Sequence, residues 1–176
     1  MDIFDTLLIR PFANPDMLFK YLEESIEKTF SISNFMDKRK KSENICRSKK
    51  SFDEDVNISE IYLIMAETYK ISNEIALQLL DLEVSTEKKL LIPREHVINA
   101  AQKINKLDKR IVLITDTYFE RRHIEEILKE KNIDFYSHLY ISSEIGKRKD
   151  RGDLWNYILI AEDVEKGKLL HIGDNE

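Results

Sequence analysis

Ile111-Val112-Leu113-Ile114-Thr115 decides the fold: four apolar residues in an unbroken run that closes on a hydroxyl. A run this short and this continuous reads as a strand buried on both faces. Moving towards the carboxyl end, residues 120–131 place Ile124, Ile127 and Leu128 on one helical face. His138-Leu139-Tyr140-Ile141 then reads as a second strand, residues 153–161 as a second helix, and Lys168-Leu169-Leu170-His171-Ile172 as a third strand. Apolar strands separated by amphipathic helices imply a parallel sheet covered on both faces, hence an α/β fold. In such sheets a ligand sits beyond the carboxyl ends of the strands.

Towards the amino end the pattern changes. From Pro15 to about Lys106 apolar residues recur at helical spacing, as in Met17, Leu18, Tyr21, Leu22 and Ile26, then Ile58, Ile61, Tyr62, Met65 and Tyr69. Asn14 before Pro15, and Ser72 or Asn73, are start signals, and a polar interruption falls at 48–57. This stretch is expected to be all-helical. The four glycines, at 146, 152, 167 and 173, concentrate tight turns near the other end.

Composition narrows the function classes. The 176 residues are 42% apolar and 35% charged with a net charge of −5, a balance that suits one domain, or a core with an insertion, rich in helical surface. Residues 38–50 are strongly basic, but no aromatic residues interleave with the charges. A solvated helix face is expected there, not a nucleic-acid surface. No run is long enough to insert into a membrane, and no secretory signal is visible, so a cytoplasmic location is expected. The single cysteine, Cys46, excludes an internal disulfide and a thiolate zinc cluster. His96, His123, His138 and His171 show no zinc-ligand spacing.

The chemistry-bearing residues lie where predicted strands end. Asp2 lies at the start, Thr115 closes the central run, Lys149 follows Gly146, and Asp174 closes His171-Ile172-Gly173-Asp174. An ionised aspartate can attack phosphorus and can also bind a hard cation such as Mg²⁺ through oxygen. A lysine and a hydroxyl beside it would neutralise and hydrogen-bond the phosphoryl oxygens, which is most of what phosphoryl transfer needs. Each residue alone has a plainer reading. Asp2 and Asp5 could be turn or capping acids, Thr6 an N-cap, Thr115 a strand end, and Lys149 one member of a charged loop. Their order, each at or just after a strand end, favours a shared site.

Asp2-Ile3-Phe4-Asp5-Thr6-Leu7-Leu8, Ile111 to Thr115, Gly146-Lys147-Arg148-Lys149 and His171-Ile172-Gly173-Asp174 resemble, in order, the four motifs of the haloacid dehalogenase (HAD) superfamily. Thr115-Asp116-Thr117-Tyr118, Ser142-Ser143-Glu144-Ile145-Gly146 and residues 171–175 are similar to HAD-type hydrolases associated with bacterial polysaccharide glycosyltransferases. The resemblance implies a HAD-like Rossmannoid core of residues 1–13 and 106–176 and an inserted helical cap of residues 14–105. It implies Asp2 as nucleophile and metal ligand, Thr115 as the phosphate-binding hydroxyl and Lys149 as the charge partner. The Phe4 carbonyl and Asp174 would complete the protein's share of an Mg²⁺ site. The implied substrate is a small phosphorylated metabolite, a sugar phosphate or polysaccharide precursor, with a glycosyltransferase in the same pathway as a partner.

Three departures bear on this expectation. Phe4 stands where phosphatases of the superfamily carry a general acid/base aspartate. Only Met1 precedes Asp2, where the fold would place a central strand, and the sequence ends soon after Asp174, so the core is expected to be truncated at both termini. Phe4 motivates an alternative from another class, a non-catalytic HAD-shaped module that binds a phosphorylated ligand without turnover. A phospho-acceptor receiver domain also uses acids, a hydroxyl and a lysine, but the long helical stretch between Asp2 and Thr115 does not suit it.

Overall fold

The computed structural model describes residues 1–51 and 54–174. Part of the polar interruption at 48–57, and Asn175 of the last motif, lie outside the described residues. The chain forms two compact units, one of Met1–Ile9 with the chain from Ile92 onward, the other of Arg10–Leu91.

The first unit is α/β. Strand β1 (Leu8–Ile9) pairs antiparallel with β2 (Ile92–Pro93), Leu8 opposite Pro93 and Ile9 opposite Ile92. The Arg94 N–H donates to the Leu7 carbonyl at 2.8 Å. This short ribbon fastens the start of α5 (Glu95–Asn105) to the first unit. Residues 95–105, expected within the helical cap of 14–105, therefore group with the α/β unit. The cause is tertiary: the amphipathic period of α5 says that it buries one face, not which neighbour covers it.

Strand β3 (Val112–Thr115) pairs parallel with β4 (His138–Ile141) in the register Val112–His138 to Thr115–Ile141. Between them runs α6 (Arg121–Glu130), which buries His123, Ile124, Ile127 and Leu128. Beyond β4 come the short α7 (Ser142–Ile145), then α8 (Asp153–Ala161) and one 3₁₀ turn at Lys166–Lys168. Ile114 packs with Leu154 and Ile158 of α8, flanked by Val112, Tyr140, Trp155 and Leu169. Residues 112 and 114 thus face α8, and strand alternation turns Leu113 and Thr115 to the other face.

Met1 and Asp2 extend this ladder. The Met1 amine donates to the Val112 carbonyl at 2.8 Å, and the Ile114 N–H donates back to the Met1 carbonyl at 2.9 Å, the slanted pattern of a parallel pair. On the other side the Asp2 N–H donates to the Ile172 carbonyl at 2.9 Å. The third strand expected at 168–172 is reduced accordingly: Lys166–Lys168 is helical, and Leu169 to Ile172 run without a named strand. Among the described residues, the Asp2–Ile172 bond alone ties this stretch to the Met1–Asp2 segment, too little to make a regular strand.

The second unit is a helical ring. Helix α1 (Met17–Phe30) packs on α2 (Phe35–Lys49) and α4 (Asn73–Leu90), and α3 (Ile58–Tyr69) packs on α2 and α4. The core is apolar, with Leu18, Leu22, Ile26, Phe35, Ile61 and Met65 all buried. Asn57 and Glu60 form a reciprocal cap at the start of α3, with bonds of 3.0 and 3.1 Å, and Ser72 caps α4 through the Ile75 N–H. At the centre lies a buried ion pair, Arg39 with Glu83 at 2.8 Å, both side chains fully buried, and the Tyr62 hydroxyl donates to Glu83 at 2.7 Å. The basic stretch at 38–50 is therefore more than a solvated face. Arg39 points inward, Arg47 pairs with Glu43 and Asp55, and Lys40 pairs with Asp16. Cys46 is buried, and burial pushes its thiol pKa up, so the lysines near it do not activate it.

Candidate active site

Asp2 sits at the end of the Met1–Asp2 ladder segment and is almost wholly buried. Its orientation is set locally, because the Ile3 N–H donates to Asp2 Oδ1 at 2.8 Å. The chain after it turns sharply. The Ile3 carbonyl accepts from both Leu7 and Leu8, the Asp5 N–H donates to Leu8, and Asp5 takes a left-handed φ of 55°. Aspartate is among the few residues other than glycine that visit this region readily. This loop returns the chain to β1.

Lys149 Nζ donates to Asp2 Oδ2 at 2.7 Å, a contact spanning 147 positions of sequence. The lysine side chain is 18% exposed and that of the aspartate 10%, so the pair is screened little by water. Lys149 lies in a loop held at several points. The Arg148 N–H donates to Asp153 Oδ1 at 3.0 Å, the Gly152 N–H donates to the Lys149 carbonyl, and the Lys149 N–H donates to both oxygens of Asp116, at 3.2 and 3.0 Å.

Thr115, the last residue of β3, is 1% exposed, and its Oγ1 has no hydrogen-bond partner. A buried hydroxyl left unpaired costs about 1–3 kcal/mol, and a native orphan calls for an explanation such as an absent ligand. Thr6 Oγ1 is a second orphan, in the loop after Asp2. Phe4 is buried with its ring 6.2 Å from that of Phe119. The position that would carry a proton-transferring acid is thus a packed apolar group.

Asp174 is exposed, in a bend two residues beyond the Ile172 carbonyl that binds Asp2. His171, just before it, packs edge-on against Trp155 with ring centres 4.6 Å apart. Burial holds the His171 pKa below the usual imidazole range, and Lys149 lowers it further, against Asp2 and Asp174, which raise it. A β-carbon at Gly173 would lie 2.6 Å from His171 Nε2, so glycine here keeps that ring in place.

Among the expected residues, Asp2 and Lys149 are in direct contact and Thr115 offers a buried, unpartnered hydroxyl. Among the described residues, no three histidine, cysteine, aspartate or glutamate side chains converge as a metal cage. The expected ligand set has only two carboxylates and a backbone carbonyl, all hard oxygen donors of the type that suits Mg²⁺. Asp116 and Ser142, quoted above only as parts of motifs, also reach this region. The Ser142 hydroxyl accepts from the Thr117 N–H at 2.9 Å. Their spacing of 33 and 25 residues from their partners leaves no local signal by which either role could have been found.

No protein-family model matches the sequence, and no curated protein matches it. Solved structures do. The 2-haloacid dehalogenase of Pseudomonas syringae pv. Tomato DC3000 superposes with a TM-score of 0.61 at 14% identity, covering 93% of this chain and 71% of that one. The HAD-hydrolase YfnB of Bacillus subtilis, solved bound to magnesium, superposes with a TM-score of 0.53 at 15% identity, covering 94% and 72%. The chain shares with these proteins an α/β fold with a HAD-like parallel sheet and helical elements.

Proposed function

We propose that the protein is a HAD-like hydrolase, a Mg²⁺-dependent phosphatase acting through an aspartyl-phosphate on Asp2. The observation that carries this reading is the Lys149 Nζ to Asp2 Oδ2 contact of 2.7 Å, and the buried, unpartnered Thr115 hydroxyl supports it. Lys149 pairs with Asp2 and faces the charge that builds on the phosphoryl oxygens. The Ile3 N–H fixes the carboxylate so that one oxygen can attack in line. Thr115 gives the phosphoryl group a hydrogen bond that the protein itself leaves unused. Asp2, Asp174 and the Phe4 carbonyl would hold Mg²⁺, which neutralises phosphate charge when bound.

Phe4 limits proton transfer. Its ring, packed near Phe119, cannot protonate a leaving group. An ester whose leaving group departs as a stable anion, such as p-nitrophenyl phosphate, is therefore expected to turn over faster than a sugar phosphate, whose alkoxide needs a proton from another donor. The same packing supports the second reading, a module that binds a phosphorylated ligand without turnover. A small sugar phosphate, in a pathway shared with a glycosyltransferase, is the substrate class suggested by the motif resemblance.

Phosphate release from p-nitrophenyl phosphate and a panel of sugar phosphates, with and without Mg²⁺, tests the proposal. Turnover should need the metal and fall at least about 10³-fold in Asp2→Asn. Unchanged turnover in that variant would remove the mechanism, and Mg²⁺-dependent phosphate binding without turnover would favour the binding module.

A further inference from the structure

We propose that Asp116, on a loop that Ser142 ties down at the Thr117 backbone, is a positioning residue whose carboxylate sets the Lys149 backbone so that its ammonium reaches Asp2. This rests on the reading of Asp2 and Lys149 given above and deepens it.

Asp116 follows Thr115 directly, at the point where β3 ends and its chain leaves the sheet. Both of its oxygens accept from the Lys149 N–H, at 3.2 and 3.0 Å, and Lys149 Nζ in turn donates to Asp2 at 2.7 Å. A lysine carries four rotatable methylene bonds, so ammonium placement depends on where its backbone is held. Lys149 sits in a loop rather than in a helix or strand, and Asp116 is the acceptor from another element that holds its N–H there.

Asp116 is itself held. The Ser142 hydroxyl, fully buried at the start of α7, accepts from the Thr117 N–H at 2.9 Å and donates to the Thr117 carbonyl at 3.3 Å. The next serine donates from Ser143 Oγ to the Phe119 carbonyl at 2.9 Å. The loop after β3 is thereby stapled to the end of β4 on one side and reaches the Lys149 loop on the other. This gives a physical role to Asp116-Thr117 and Ser142-Ser143, which the proposed chemistry leaves unused. The role is geometric, because what Lys149 N–H needs is an acceptor oxygen in place, and an asparagine at 116 can supply one.

The test compares wild type, Asp116→Ala and Asp116→Asn in the full chain, with p-nitrophenyl phosphate and MgCl₂ as the assay and nitrogen-15 NMR of Lys149 beside it. In Asp116→Ala, kcat should fall about 100-fold, as expected for a charge displaced by roughly an ångström, with KM changed less than about threefold. Asp116→Asn should restore kcat to within about fivefold of wild type. Lys149 amide exchange should accelerate at least about tenfold in Asp116→Ala and stay near wild type in Asp116→Asn. The Lys149 ammonium signal, sheltered by Asp2, should be lost only in Asp116→Ala. Wild-type kcat in Asp116→Ala, or an Asp116→Asn as impaired as Asp116→Ala, would overturn the assignment. If the wild type turns nothing over, the phosphatase reading fails and the two NMR readouts alone decide: unchanged Lys149 signals in Asp116→Ala would overturn the positioning role. Should Asp116→Ala not fold, Asp116→Ser, whose hydroxyl falls short of Lys149, takes its place with the same expectations.

Discussion

Thr115 separates stability from function at a single side chain. Its hydroxyl is buried and bonded to nothing in the protein, so replacing it with valine removes a desolvation penalty and breaks no bond. Thr115→Val is expected to leave stability unchanged or raise it by about 1 kcal/mol in urea denaturation, while lowering phosphatase turnover about 10–100-fold. A loss of stability with turnover intact would mean that the hydroxyl serves the fold instead. Asp2 shows the opposite economy, since both of its oxygens are already engaged, one by the Ile3 N–H and one by Lys149. The residue types at these positions were legible in the sequence. Their contacts were not, because Lys149 meets Asp2 across almost the whole chain and no periodicity encodes such a meeting.

Among the elements, the helices of the second unit carry a buried charge that periodicity alone would not place there. Glu83 of α4 accepts from Arg39 of α2 and from the Tyr62 hydroxyl of α3, so one carboxylate ties three helices. Removing it deprives a fully buried guanidinium of its buried carboxylate, leaving Glu43, 20% exposed and 3.0 Å away, as an ion partner. Glu83→Ala is therefore expected to destabilise the chain by about 3–5 kcal/mol in urea or thermal unfolding. A loss under about 1 kcal/mol would show that water or a rearranged side chain replaces the carboxylate. The apolar residues at helical spacing in 17–82 announced these helices well. The basic run at 38–50 was harder to read, since a charge pattern shows which residues can face solvent but not that one of them turns inward to meet Glu83.

For the whole molecule, the decisive bonds join positions far apart in sequence. Ile114 donates to Met1, and Asp2 donates to Ile172, so the first two residues lie between two stretches more than a hundred positions away. The amides of Asp2 and Ile114 are therefore expected to exchange as slowly as that of Leu113 inside the β3–β4 sheet. Hydrogen exchange followed by NMR checks this, and fast exchange at both amides beside a slow Leu113 would dissolve the site. The fold likeness to HAD-type proteins is consistent with such convergence, yet at 14–15% identity it speaks to the fold alone.

By itself, the sequence determined the α/β class, the strands near 111–115 and 138–141, the helix at 153–161, the all-helical character of most of 15–90, and the residue types able to hold a phosphoryl group. These follow from local periodicity and side-chain chemistry, which each short segment carries within itself. Only the tertiary structure decided that α5 joins the α/β unit, that Ile172 accepts from Asp2 without a regular strand at 168–172, that Arg39 is buried, and that Asp116 reaches the Lys149 backbone. Those outcomes depend on which distant group satisfies a buried donor or charge, and that choice is made by packing rather than by neighbours in sequence.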